Sequence, residues 1–219
     1  MTRPLIKICG LSTPQTLDAA LDAGAAMIGL VFFAKSPRNV PLDQAARLAD
    51  RARGKAEIAA LTVDADDGLI ADIMREVRPD WLQLHGSETP ERCAELKARH
   101  GVKVMKALGV SQATDVEKAA GYAGVVDKLL FDAKPPKDAV LPGGNGVAFD
   151  WTLLRGLDLG VPVMLSGGLN PQTVAEALRI SGVNEVDVSS GVERERGVKD
   201  ETLIRAFIAE AERAGEETR

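Results

Sequence analysis

VPVMLSGGLNPQTVAEALRISGVNEVDVSSGVE, residues 161–193, decides how the rest of this 219-residue chain is read. Val161 to Leu165 is a short apolar run with a proline only near its edge, as expected of a parallel strand buried on both faces. Ser166-Gly167-Gly168 follows, a turn in which two residues lack Cβ and let the backbone come close to a ligand. Asn170 suits a helix N-cap and Pro171 the first helical position. Val174, Ala177, Leu178 and Ser181 then share one face, and Gly182 closes the helix. Glu185 to Val188 reads as the next strand and Ser189-Ser190-Gly191 as the next turn. Two such turns at the carboxyl ends of consecutive strands offer converging N–H groups, which predicts an anion site suited to phosphate. The plainer reading is a pair of ordinary strand-to-helix turns, since glycine punctuates loops everywhere.

Upstream, the same unit recurs. Leu5 to Cys9 is a strand, followed by a helix opened by Thr13-Pro14; Ala26 to Phe33 is a strand, followed by a loop and a helix from Leu42 to Arg51. Glu57 to Val63, Trp81 to Leu84, Lys103 to Leu108 and Lys128 to Asp132 continue the strands, with helices carrying Leu69, Ile70, Ile73, Met74 and Val77, opening at Thr89-Pro90, and starting at Ser111. A glycine-rich loop and a short helix near Phe149 lead into the stretch quoted first, and a helix bearing Leu203, Ile204, Phe207 and Ile208 closes the chain. Eight strands alternating with helices at about 27 residues per unit predict an α/β fold, a single-domain (β/α)8 TIM barrel over residues 1–214, with a charged tail at 215–219. A doubly wound open sheet is the rival, but it places its glycine fingerprint after the first strand rather than the last two. Barrels also commonly hold a phosphate after strands seven and eight, which favours the anion-site reading of the two turns.

The bulk numbers narrow the function. A net charge of −5, with no basic cluster and no aromatic stacking platform, argues against a nucleic-acid partner. The opening MTRPLIKICG has no signal-peptide apolar region, and no run approaches the length of a membrane span, so no membrane association is expected. Two cysteines without paired spacing fit reduced thiols and a cytoplasmic setting. The expected oligomeric state is a monomer, with a dimer as the alternative.

Chemistry in a barrel sits at the carboxyl ends of its strands. Strand one offers Lys7 and Cys9, the loop after strand two Ser36-Pro37-Arg38, strand four Gln83 and His85, strand six Asp132 and strand eight Asp187. Alternation turns Lys7 and Cys9 to the barrel interior, opposite Ile6 and Ile8, and a lysine two residues below a thiol favours its thiolate. Cys9 is equally readable as a small buried hydrophobe, whereas Cys93 shares a helix face with Leu96 and belongs to the core. Asp132 stands at the rim as a functional carboxyl or a cap. Arg38, held between Pro37 and a strand end, is placed to grip a carboxylate. His85 is either a loop hydrogen-bonder or a site residue, Lys106 either an interior partner or a snorkelling cation, and His100 a helix-end cation.

Taken together, KICG (7–10), SPR (36–38), QLHG (83–86), LLFD (129–132), GGNGVAFDW (143–151), LSGGLNP (165–171) and VDVSSGVE (186–193) resemble the phosphoribosylanthranilate isomerases of tryptophan biosynthesis, in family order across nearly the whole chain. The resemblance implies an Amadori rearrangement of N-(5′-phosphoribosyl)anthranilate to 1-(2-carboxyphenylamino)-1-deoxyribulose 5-phosphate, with no cofactor and no metal. It makes Cys9 the general base at C2′ and Asp132 the general acid at the ring oxygen. It assigns the substrate carboxylate to Arg38 and the phosphate to backbone amides around Gly167, Gly168, Ser189, Ser190 and Gly191. Lys7, Gln83, His85 and Asp187 would complete the substrate site. The sequence departs from the family at Ala133, where threonine is frequent, and at Val147, where lysine is. A sister histidine-pathway isomerase is expected to carry an aspartate where Cys9 stands, indole-3-glycerol-phosphate synthase a longer N-terminal extension, and a non-catalytic phosphosugar-binding barrel leaves Cys9 and Asp132 without purpose.

Overall fold

In a computed structural model that describes residues 3–134, 143–144, 146 and 148–217, eight parallel strands close into a barrel in sequence order. They are β1 (Leu5–Cys9), β2 (Met27–Phe32), β3 (Glu57–Thr62), β4 (Trp81–Leu84), β5 (Lys103–Val110), β6 (Lys128–Ala133), β7 (Val163–Leu165) and β8 (Glu185–Val188). Closure comes from pairing β1 with β8, which sets Lys7 beside Asp187. Around the barrel lie α1 (Pro14–Asp22), α2 (Leu42–Ala52), α3 (Asp67–Glu76), α4 (Pro90–His100), two short helices α5 (Ala113–Glu117) and α6 (Ala120–Ala123), α7 (Val174–Ser181) and α8 (Glu201–Glu217).

The two-residue period of the strands divides the core into layers. Ile6, Ile8, Ile28, Leu30, Ile58 and Leu82 face outward and pack with Leu17, Leu48, Ile70, Ile73, Leu96 and Phe207 of the helices. Each such side chain contributes about 1.5–3 kcal/mol when fully buried. Met27, Ala59, Trp81, Met105, Ala107, Leu130 and Met164 face inward and fill the lower barrel. Above them Cys9, Val31 and Leu61 form a smaller interior group that opens to the surface. Cys93 is fully buried on α4, as its helix face requires.

The helix starts follow from capping chemistry. Thr13 accepts a bond from the Thr16 amide at 3.3 Å, Asp66 from Leu69 at 2.8 Å and Thr89 from Arg92 at 3.3 Å, with Pro14 and Pro90 at the first helical positions. The helix expected from Asn170 begins instead at Val174. The Asn170 side chain accepts from Gln172 and Thr173, and this capped turn displaces the helix start by one turn. The helix expected from Ser111 is two short pieces, and the Asp115 carboxylate in the first turn of α5 accepts from the Ser111 amide and hydroxyl at its start. The short helix near Phe149 is a 3-10 turn at Trp151–Leu154. A hairpin of β9 (Glu193–Glu195) and β10 (Val198–Lys199) follows β8, where the sequence reading had no element. The expected tail is helical as far as Glu217; residues 218–219 and the expectations attached to 135–142, 145 and Val147 lie outside the described residues. Among the described residues, no helix is long and apolar enough to cross a membrane.

Candidate active site

The carboxyl ends of the strands surround a cleft open to solvent and lined by Cys9, Arg38, Gln83, His85, Asp132 and Asp187, with Gly167, Gly168, Ser189 and Ser190 at one end. Lys7 and Cys9 both point into the barrel, as alternation requires, and both are buried. In the β1–β2 register Cys9 lies beside Gly29, and a side chain at Gly29 would stand 2.8 Å from the sulfur. The missing Cβ on β2 is therefore what gives the thiol its room.

Lys7 donates to Asp187 at 2.7 Å, and Ser166 donates to the other oxygen of Asp187 at 3.2 Å. Burial works against a charge on Lys7, but Asp187 outweighs it and the ammonium is held above its ordinary range. This pairing changes the expectation for Cys9. Burial pushes the thiol up; Lys7 and Lys199 pull it down, but Asp187 offsets part of that pull, so the thiol is favoured over the thiolate in the open site. Lys7 still favours the thiolate, but burial, with Asp187 behind it, outweighs that pull.

Asp132 is the next-to-last residue of β6, three strands from β1 around the closed barrel. One of its oxygens accepts the Ala133 amide at 2.8 Å, and the other lies 3.5 Å from His85 Nε2. Burial first, and the Asp187 charge second, raise its carboxyl to about 7. His85 moves the opposite way, lowered to about 4 by burial and then by the Lys106 charge, so the imidazole is neutral. A carboxylic acid held near neutrality beside a neutral imidazole can give up a proton, and Cys9 can take one once it is a thiolate.

Gln83 is fully buried beneath the cleft, and neither its amide oxygen nor its nitrogen has a hydrogen-bond partner among the described residues. Such a group carries a desolvation penalty of about 1–3 kcal/mol until something polar meets it. At the far end, the amides of Gly167, Gly168, Ser190 and Gly191 engage in no hydrogen bond among the described residues. The two turns touch: a side chain at Gly191 would run into the Leu169 carbonyl. The missing side chain at Gly191 is what lets the two turns approach.

Arg38 lines the cleft with part of its donor capacity already taken. Its guanidinium already holds a carboxylate, that of Glu193, with Nε at 2.6 Å and Nη2 at 2.9 Å. Lys199 donates to the same Glu193 at 2.7 Å and to the carbonyl and hydroxyl of Ser189 at 2.8 and 3.1 Å. Glu193 and Lys199 were missed in the sequence; the hairpin that brings them back is only five strand residues. Lys106 is neither interior nor snorkelling. It turns to the helix layer, fully buried, and bonds Glu88 at 2.8 Å and the Gly86 carbonyl at 2.7 Å, which steadies the loop after His85. Among the described residues, no three His, Cys, Asp or Glu side chains converge as a metal-ligand set.

A protein-family model described as N-(5′-phosphoribosyl)anthranilate (PRA) isomerase matches residues 6–210. An N-(5′-phosphoribosyl)anthranilate isomerase of Afipia carboxidovorans is 58% identical over 215 residues, covering 98% of this chain and 92% of that protein. The crystal structure of phosphoribosyl anthranilate isomerase from Thermotoga maritima superposes with a TM-score of 0.85 at 34% identity, covering 95% of this chain and 98% of the other. A crystal structure of such an isomerase in complex with reduced 1-(o-carboxyphenylamino)-1-deoxyribulose 5-phosphate superposes with a TM-score of 0.80 at 31% identity, again covering 95% and 98%.

Proposed function

The chain belongs to the N-(5′-phosphoribosyl)anthranilate isomerase family, an enzyme of tryptophan biosynthesis acting on a small phosphorylated molecule, and from that premise we propose how its residues carry the reaction. Asp132, protonated, gives its proton to the furanose ring oxygen as the C1′–O bond breaks. The nitrogen lone pair forms an iminium at C1′. Cys9, as thiolate, removes the proton from C2′, which the iminium has acidified. The resulting enolamine tautomerises to the aminoketose. Two groups on well-separated strands are needed because ring oxygen and C2′ hydrogen are approached from different sides, and the iminium makes a thiolate basic enough.

The observation that carries this reading is a buried acid at about 7 and a buried thiol facing one cleft whose end bears unengaged amides. The amides of Gly167, Gly168, Ser190 and Gly191, with the Ser189 turn, hold the phosphate. Arg38 holds the anthranilate carboxylate through Nη1, the edge left by Glu193. Gln83 and His85 meet the ribose hydroxyls, while Lys7 and Asp187 form the charged floor. Fixing the ring at both ends can lower the barrier by several kcal/mol.

We place the enzyme in the cytoplasm, supported by two buried, unbridged cysteines. We propose a monomer, supported by Val198 being the one exposed large hydrophobic side chain among the described residues. Freshly prepared phosphoribosylanthranilate, followed by the loss of anthranilate fluorescence, tests the activity. Turnover by the wild type and its collapse in Cys9→Ala are expected; tight product binding without turnover would overturn the assignment.

A further inference from the structure

We propose that Glu193 is a positioning residue that sets the separation between the carboxylate grip and the phosphate cradle, acting on the substrate through Arg38 and Ser189. The inference rests on the reading above, in which Arg38 meets the anthranilate and the strand-eight turn meets the phosphate.

Glu193 opens β9 directly after the turn at 190–192, and the hairpin register returns Lys199 opposite it. Its carboxylate accepts four bonds: Arg38 Nε at 2.6 Å, Arg38 Nη2 at 2.9 Å, Lys199 Nζ at 2.7 Å and the Gly197 amide at 3.0 Å. Four donors fill the capacity of a carboxylate, so none of it remains for a ligand. Its side chain is 4% exposed. Burial opposes the charge, and the bonds from Arg38 and Lys199 outweigh that, holding the carboxyl at about 2.

The consequence is geometric. Arg38 comes from the loop after β2, and Ser189 from the end of β8. One carboxylate fixes the first directly and the second through Lys199, which donates to both the carbonyl and the hydroxyl of Ser189. With its Nε and Nη2 edge occupied, the guanidinium plane is set and Nη1 is the edge left over, without a partner among the described residues. A planar fork held this way can meet a carboxylate at one distance from the phosphate turn. Freed of Glu193, the arginine keeps its charge and loses its aim, and Lys199 releases the turn.

The test measures steady-state turnover of phosphoribosylanthranilate by wild type, Glu193→Gln, Arg38→Ala and the double variant, with competitive inhibition by inorganic phosphate as a second probe. Glu193→Gln is expected to raise KM by about tenfold with kcat changed less than about threefold, the effect of loosening one charge-assisted contact. It is also expected to weaken phosphate inhibition. In the Arg38→Ala background the same substitution should raise KM no further than the loosened phosphate turn requires, well short of its effect in wild type. Glu193→Asp keeps the charge and shortens the reach; it should raise KM less, and it serves if the glutamine variant does not fold. An unchanged KM, an equal rise in both backgrounds, or a fall in unfolding temperature alone would overturn the inference. Loss of turnover in the wild type itself would instead remove the functional reading beneath it.

Discussion

The two ends of the barrel use similar residues to opposite purposes. At the amino ends of the strands, Lys103 and Lys128 lie over the Trp81 ring at 4.9 and 5.0 Å, and each is paired, Lys103 with Glu57 at 2.9 Å and Lys128 with Glu185. The Trp81 N–H and the His100 Nε2 lack partners there among the described residues. At the carboxyl ends, a carboxyl stays protonated near neutrality, a glutamine has both polar atoms idle, and a row of amides is unengaged. The lower end is closed by cations whose charges are answered within the fold. The upper end holds groups left unanswered among the described residues, which the proposed function assigns to the substrate.

The largest effect that would break this contrast lies at the bottom. Trp81→Ala should cost about 3–5 kcal/mol of folding stability by denaturant titration, while the folded fraction turns over within about twofold of wild type. A selective loss of turnover would mean the lower end takes part in catalysis.

Next come Cys9→Ala and Asp132→Ala, each expected to lower kcat by at least ~100-fold with little change in unfolding midpoint. Their titrations sharpen the point. In the proposed mechanism the working form pairs a protonated Asp132, whose pKa is about 7, with a Cys9 thiolate whose pKa burial has raised. That form is a minor fraction of the singly protonated enzyme, so kcat/KM should rise through about pH 7 and fall only above the thiol range. A profile already falling at pH 7 would assign the groups the other way. Smaller again, Arg38→Ala should raise KM by about tenfold, and an unchanged affinity for a carboxylated product would remove Arg38 from the site.

The smallest effect concerns the stability given up at the top. The folded-state pKa of Asp132 is raised above its unfolded value, so its contribution is fully present below about pH 4 and lost as pH rises through about 7. Asp132→Asn should therefore be more stable than wild type at pH 8, by on the order of 1 kcal/mol or more, and no more stable at pH 4. Equal unfolding temperatures at both pH values would show that the carboxyl is not strained in the fold.

Much of this was legible in the chain. The recurring strand, glycine and helix unit gave eight strands and their order, because apolar runs of that length bury on both faces only in a parallel sheet flanked by helices. Alternation alone turned Lys7 and Cys9 inward, since the period of a strand is a local property. Thr13-Pro14 and Thr89-Pro90 marked helix starts because a cap bonds residues three apart. Asn170-Pro171 misled, because the same side chain can cap an isolated turn.

What the sequence determined by itself was therefore periodic and local: the barrel, the inward faces, and the placing of chemistry at one rim. Tertiary structure alone decided which charges meet. Asp187 neutralising Lys7, His85 resting against Asp132, and Glu193 holding both Arg38 and Lys199 join residues up to 180 positions apart. No spacing along a chain encodes the burial and mutual distance on which a proton's affinity depends.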